Sequence, residues 1–139
     1  SADYAGMVVV PCSMGTIGRI AGGTSDNLLI RAADVCLKER RPLIVVPRET
    51  PYNLIHLDNM TRLTRQGGIV IPASPHFYDH PKTIEELVDT VVAKILMHLG
   101  AMRDAADIVK PWKGISIPKA AKQKTPSVKH LAKVRAKKK

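Results

Sequence analysis

Three short, uninterrupted apolar segments set the strongest limit on how this chain can fold. They cover Met7–Val10, Leu43–Val46 and Ile69–Ile71, they are rich in β-branched residues, and a proline follows each of them. A strand with one face in water alternates apolar and polar residues, and these segments do not alternate. Continuous apolar runs of this length are typical of strands that are buried on both faces of a parallel sheet.

Helical patterns separate the predicted strands. Ser25 or Asp26 is a suitable N-cap for a helix that runs to about Arg40. A second helix is predicted from Tyr52 to Arg65, just before the glycine pair at 67–68. Alternating strands and helices of this kind predict a right-handed α/β layer structure.

The third predicted helix has the clearest start signal. Thr83 and Glu86 have the spacing of a capping box. An apolar stripe at helical spacing follows, formed by Ile84, Leu87, Val88, Val91, Val92, Ile95, Leu96 and Leu99.

A sheet of three buried parallel strands needs covered edges, because an open edge pairs readily with another chain. We therefore expect both additional sheet upstream of Ser1 and an oligomer.

The charge of the chain is concentrated at one end. Of the 22 Lys and Arg residues, nine lie in residues 115–139, which contain no Asp or Glu, so residues 1–114 hold 13 basic against 12 acidic residues. We predict an α/β domain over residues 1–114 and a disordered basic tail over residues 115–139. The tail lacks interleaved aromatic residues, so the excess charge argues only weakly for a nucleic-acid partner.

Cysteine and histidine usage indicates no disulfide framework and no metal site. Cys12 and Cys36 are too few for either, and the five histidines lack metal-ligand spacing. No apolar run approaches the roughly 20 residues of a membrane-spanning helix. We expect a protein of the reducing cytoplasm.

Polar residues follow each predicted strand, at positions 12–16, 48–50 and 74–78. Ligands of open α/β sheets bind beyond the carboxyl ends of the strands, and all three connections meet at that edge. Ser13, Gly15 and Thr16 suit a phosphate or a polyol chain, although the same residue types serve as ordinary helix caps.

Several cationic and aromatic residues, taken one at a time, are explained by an ordinary structural role. Arg31 and Lys38 share a helix face that is solvated in most proteins, and Arg48 with Glu49 suits a local ion pair. Lys94 borders the apolar stripe, Tyr78 lies in a proline-rich segment, and Trp112 is the single tryptophan. Together they would place many phosphate-directed donors near one edge of the sheet.

Specific segments of this chain resemble the flavin prenyltransferase (UbiX) family. The resemblance is carried by residues 10–16 (VPCSMGT), 31–43 (RAADVCLKERRPL) and 46–51 (VPRETP), with Ile71-Pro72-Ala73, Phe77-Tyr78 and Trp112-Lys113-Gly114. It covers roughly residues 1–114. The glycine- and serine-rich loop that begins the family's pattern has no counterpart here, so the chain is similar to the C-terminal part of the family.

The resemblance implies a flavodoxin-like fold, here a partial domain, and a homo-oligomer that is typically a dodecamer. It also implies transfer of a dimethylallyl group from dimethylallyl phosphate to reduced FMN without a metal, which makes the prenylated FMN of UbiD-type decarboxylases. By the same resemblance, Ser13, Met14, Gly15, Thr16 and Arg48 would hold FMN. The implied catalytic and substrate-binding residues are Arg31, Lys38, Glu49, Tyr78, Lys94 and Trp112.

Three other functions stay open from the sequence. They are a non-catalytic FMN-binding or oligomerising subunit of this fold, a nucleic-acid-binding protein that uses its basic tail, and a flavin-dependent cysteine decarboxylase. The characteristic Met-Asn motif of the decarboxylases is absent. Only the prenyltransferase explains the whole set of cationic residues.

Overall fold

A computed structural model describes residues 4–109. Trp112 and the predicted tail at 115–139 lie outside the described residues. The described part contains a three-stranded sheet and five helices. The strands are β1 (Met7–Cys12), β2 (Leu43–Pro47) and β3 (Ile69–Val70), and the helices are α1 (Met14–Gly22), α2 (Leu28–Lys38), α3 (Leu54–Arg65), α4 (Ile84–His98) and α5 (Met102–Ile108).

The sheet is parallel, as predicted, and its spatial order β1–β2–β3 follows the chain order. In the register of the sheet, Val9 lies beside Val45, and Val45 lies beside Val70. The prediction that the strands are buried on both faces is confirmed only for the central strand β2, in which every residue is buried. In β1 the exposed fraction of Val10 is 59%, because β1 has a strand neighbour on one side only among residues 4–109.

The central strand divides the core into two clusters. Leu43 and Val45 of β2 pack with residues of α1, α2 and α3 on one face. Ile44 and Val46 point to the other face, where Ile95 of α4 packs against them. The alternation of side chains along a strand thus produces a three-layer α/β/α structure. This arrangement confirms the predicted flavodoxin-like fold class.

The helix predictions differ from the structure at four points, and at three of them a side-chain cap sets where the helix begins. Helix α1 was not predicted: Ser13 caps it, so the expected loop after β1 is a helix start. Helix α2 begins after Asn27 rather than Ser25 or Asp26, since the Asn27 side chain accepts a hydrogen bond from the Ile30 N–H at 3.0 Å. It ends at Lys38, not at about Arg40.

Helix α3 begins at Leu54 rather than Tyr52, because Asn53 and His56 form a reciprocal capping box. At α4 the Thr83 hydroxyl accepts from the Glu86 N–H as predicted, but the Glu86 carboxylate accepts from the Lys82 N–H instead of closing the box. The predicted stripe of α4 is only partly buried: Ile84 and Val88 are exposed.

No helix within residues 4–109 combines the length and the apolar character that a membrane crossing requires.

Candidate functional site

The carboxyl edge of the sheet carries the three polar connections that the sequence places there. Ser13 follows β1, Arg48 and Glu49 follow β2, and Ser74 lies beyond β3. Because the strands are parallel and adjacent, the ends of β1 and β3 are about 10 Å apart, which is two strand spacings. A single small ligand, or two ligands in contact, can reach all three connections.

A cleft of about 580 Å³ opens between the segment after β3 and helix α4. Its apolar side is formed by Ile71, Pro72 and Val91. Its polar lining consists of Ser74, His76, Tyr78, Thr90 and Lys94. The structure therefore brings Tyr78 and Lys94, two of the predicted substrate-binding residues, to the same cleft.

Helix geometry explains why Lys94 faces the cleft. Thr90 and Lys94 are four residues apart, so they lie on one face of α4 and both line the cavity. Within residues 4–109 no carboxylate lies within ion-pair distance of the Lys94 ammonium group. The side chain brings an uncompensated positive charge to a cavity with an apolar wall, which favours an anionic ligand with an apolar part.

The first turn of α1 is a second concentration of hydrogen-bonding groups. The Ser13 hydroxyl accepts from the Thr16 N–H at 3.1 Å and lies 3.0 Å from the Thr16 hydroxyl. The backbone N–H groups of Met14 and Gly15 lie in the first turn of α1, where the helix offers them no carbonyl acceptor, and they point out of the helix. The Met14 side chain is buried in the core, so Met14 offers a ligand only its backbone.

Arg48 and Glu49 do not form the local ion pair that the sequence also allows. Both are exposed, and the Glu49 Oε1 atom accepts from the N–H of Thr50 at 3.2 Å. Among the described residues no carboxylate pairs with the Arg48 guanidinium. Both side chains are available to a ligand between the ends of β1 and β3.

The expected convergence of all cationic residues at one edge is wrong for Lys38. Lys38 ends α2 just before β2 begins, so it lies at the amino edge of the sheet. Its ammonium group is 2.8 Å from the Glu39 carboxylate, and this contact lowers the pKa of Glu39. Arg31 is exposed and pairs with Asp34 at 3.0 Å, one helical turn along α2.

His76 and Thr90 line the cleft but were not among the residues that the sequence predicted for the site. The proline-rich loop at 74–78 was recognised as polar, and Lys94 was recognised as out of place in an apolar stripe. The spacing of four between Thr90 and Lys94 is the signal that could have added Thr90.

No group of three His, Cys, Asp or Glu side chains is arranged to hold a metal ion within residues 4–109.

The thiol of Cys12, next to Ser13, is not a nucleophile of this site. Its side chain is buried in the core, and burial raises its pKa to about 11, since the thiolate is poorly solvated there.

We expect native Cys12 to resist alkylation at pH 8 and to react fully after denaturation. Because the folded-state pKa lies above the unfolded value, this residue should lower the stability of the fold as the pH rises from about 9 to about 11. Mass spectrometry after iodoacetamide treatment in native and denaturing buffer measures the first effect. Fast native alkylation of Cys12 would contradict it.

The sequence profile of the family named Flavoprotein matches residues 1–114. The chain belongs to the flavoprotein family. A curated relative of this chain, the flavin prenyltransferase UbiX of Methanothermobacter thermautotrophicus, is 48% identical over 117 residues, which cover 84% of this chain and 60% of the relative. This match confirms the resemblance to the UbiX family.

Solved structures support the same relationship. This chain superimposes with a TM-score of 0.77 on AnUbiX (PadA1), solved in complex with FMN and dimethylallyl pyrophosphate, at 44% identity over 83% of this chain and 60% of that one. The TM-score is 0.68 with a dodecameric FMN-dependent Ubix-like decarboxylase from Escherichia coli O157:H7, at 49% identity over 70% of this chain and 54% of that one. The chain thus spans 54–60% of the length of these three proteins.

Proposed function

We propose that this chain is a flavin prenyltransferase that transfers a dimethylallyl group from dimethylallyl phosphate to reduced FMN. The observation that carries the proposal is the cleft beside β3, which combines an apolar wall with the unpaired Lys94 ammonium group. A prenyl phosphate is complementary to these two features, because it consists of a branched five-carbon apolar chain and an anionic phosphate. The product would be the prenylated FMN that UbiD-type decarboxylases use.

The substrate would lie with its dimethylallyl group against Ile71 and Val91. Burial of this apolar group stabilises the complex by about 25 cal/mol per Å². Its phosphate would face Lys94 and the Tyr78 hydroxyl, which belong to the polar lining of the cleft. A charge-assisted hydrogen bond from Lys94 stabilises both the bound phosphate and the phosphate that departs.

The residues at the start of α1 fit FMN. A Cβ atom added to Gly15 would meet nothing closer than the Ser13 hydroxyl at 3.9 Å, so the space in front of the helix start is open. Ser13 and Thr16 would offer hydroxyls, Met14 and Gly15 backbone N–H groups, and Arg48 a guanidinium. When bound, reduced FMN supplies the two ring atoms, N5 and C6, that become prenylated.

The chain's own residues would handle the charge and the proton of the transfer. Transfer would break the C–O bond of dimethylallyl phosphate, and Lys94 would stabilise the negative charge of the phosphate that leaves. Glu49 is an exposed carboxylate between the two ligand positions. It would accept the proton that the flavin releases and pass it to the phosphate.

The predicted role of Lys38 requires a second copy of the chain, because Lys38 lies at the opposite edge of the sheet from the cleft. This supports a homo-oligomer, as in the dodecameric relative. Large apolar side chains stand exposed near the starts of α2 and α3: Leu28 is 85% exposed, Leu54 71% and Ile55 69%. Exposed apolar surface of this kind is typical of protein interfaces.

The direct test incubates the chain anaerobically with reduced FMN and dimethylallyl phosphate. We expect a flavin whose mass has increased by one dimethylallyl unit and whose absorbance differs from that of FMN. FAD in place of FMN is the control and should give no product. Tight FMN binding without product would support the non-catalytic flavin-binding alternative, and absence of FMN binding would contradict the assignment of the cofactor.

A pair of variants at Ser13 separates helix capping from ligand binding. Ser13→Ala should cost about 0.5–2 kcal/mol of stability through the lost cap, whereas Ser13→Gly should cost only a few tenths. If the hydroxyl also contacts FMN, both variants should weaken FMN binding, which fluorescence quenching measures. Unchanged FMN affinity in Ser13→Gly would restrict Ser13 to capping.

A further inference from the structure

Tyr78 is a largely exposed member of the cleft. Its side chain is 76% exposed, and it lies in a segment between Pro75 and Pro81. An exposed tyrosine loses conformational freedom when a ligand fixes it, and this loss weakens binding. A residue that holds the Tyr78 ring in place before the ligand arrives therefore increases affinity.

His76 makes the ring contact that restricts Tyr78. The two ring centroids are 5.6 Å apart, and the planes meet at 68°, which is the edge-to-face geometry that aromatic pairs favour. His76 belongs to the same cleft, and its side chain is half-buried.

His76 is itself attached to helix α4. Its backbone N–H donates to the Thr90 hydroxyl at 3.3 Å, and that hydroxyl donates to the Leu87 carbonyl at 2.7 Å. The His76 Nε2 atom lies 3.6 Å from the Asp79 carboxylate. These contacts connect the loop that carries Tyr78 to the same helix that carries Lys94.

We propose that His76 is a positioning residue, which holds the Tyr78 ring at the mouth of the cleft for the prenyl phosphate. The inference rests on the proposed function, since it assumes that Tyr78 contacts this substrate. His76 acts through its ring and through Tyr78, so its removal has no effect once Tyr78 is gone. A His76 that bound the phosphate directly would act in both backgrounds.

The test measures the affinity of the full chain for dimethylallyl phosphate by calorimetry. His76→Ala should raise the Kd about 3-fold to 10-fold, in line with the contribution of an aromatic pair, and His76→Phe should restore it to within about twofold. In the Tyr78→Ala background, His76→Ala should change the Kd less than about twofold. His80→Asn is the matched control, because His80 lies in the same segment but outside this cleft, and asparagine tolerates its positive φ of 52°.

A second measurement needs no ligand. In NMR spectra of the free chain, the Tyr78 ring protons should show contacts to His76 and shifts away from those of an unstructured tyrosine. His76→Ala should remove these shifts, and His76→Phe should keep the Tyr78 ring ordered.

The proposal is overturned by equal effects of His76→Ala in both backgrounds, by failure of His76→Phe to restore affinity, or by Tyr78 ring shifts that do not depend on His76. The proposed function fails differently. Binding of dimethylallyl phosphate that Tyr78→Ala leaves unchanged overturns the positioning role of His76 while the substrate assignment stands, whereas a complete lack of binding shows that the substrate assignment is wrong. In that case the ligand-free spectra still decide whether His76 positions Tyr78.

Discussion

Replacing Lys94 by methionine should weaken the binding of dimethylallyl phosphate about 10-fold to 100-fold. Lys94→Met keeps the unbranched side chain and the volume of the cleft but removes the ammonium group. A hydrogen bond to a charged group contributes about 1.5–3 kcal/mol, which corresponds to this range of affinity. Isothermal titration calorimetry of the full chain at low and high salt measures the effect, which should be largest at low salt.

Two further lysine variants test whether the loss of affinity depends on the charge at position 94. Lys94→Arg retains the charge and should lose much less affinity than Lys94→Met, although the planar guanidinium changes the geometry. Lys82→Met removes a positive charge of the same type from a neighbouring cleft before α4 and should leave the Kd within about twofold. Equal losses in Lys82→Met and Lys94→Met would show that only the overall charge matters.

Leu63→Ala should lower the free energy of unfolding by about 2–5 kcal/mol. Leu63 of α3 is fully buried in the cluster that also contains Ile17 of α1. The Gly68 backbone packs directly on it, so closely that a Cβ atom at Gly68 would lie 2.7 Å from the Leu63 Cδ1 atom. The cavity left by the missing methyl groups has a rigid backbone wall, which limits how far the surroundings can collapse into it.

Urea denaturation followed by circular dichroism measures this loss. Leu57→Ala, on the same helix, is the matched control: Leu57 is 46% exposed, so we expect it to cost under about 1 kcal/mol. If both variants cost the same, α3 would not be anchored through Leu63 as the structure indicates.

The sequence was sufficient for the fold class because a central strand that is buried on both faces leaves a direct signal. A run such as Leu43–Val46 has no polar alternation, and the structure places it in the centre of a parallel sheet. The parallel order in turn requires the polar residues after each strand to share one edge. The positions of Ser13, Glu49 and Ser74 relative to the sheet thus follow from the sequence.

Helix boundaries were less predictable because several residues compete for each cap. Ser25, Asp26 and Asn27 are all good N-caps in isolation, and the structure uses only Asn27. The choice depends on which turn lets Ile30, Ala33 and Cys36 reach the core together. Helix α1 was missed because Ser13, Gly15 and Thr16 suit a ligand-binding loop as well as the start of a helix.

The sequence by itself determined the layer structure and the residues that meet at its carboxyl edge. Only the tertiary structure decided which charged residues share a site. It joined Lys94 with Tyr78 through the packing of α4 beside β3, whereas the place of Lys38 at the amino edge follows from the order of α2 and β2 along the chain. Periodicity determines the face of a helix on which a residue lies, whereas long-range packing determines what that face meets.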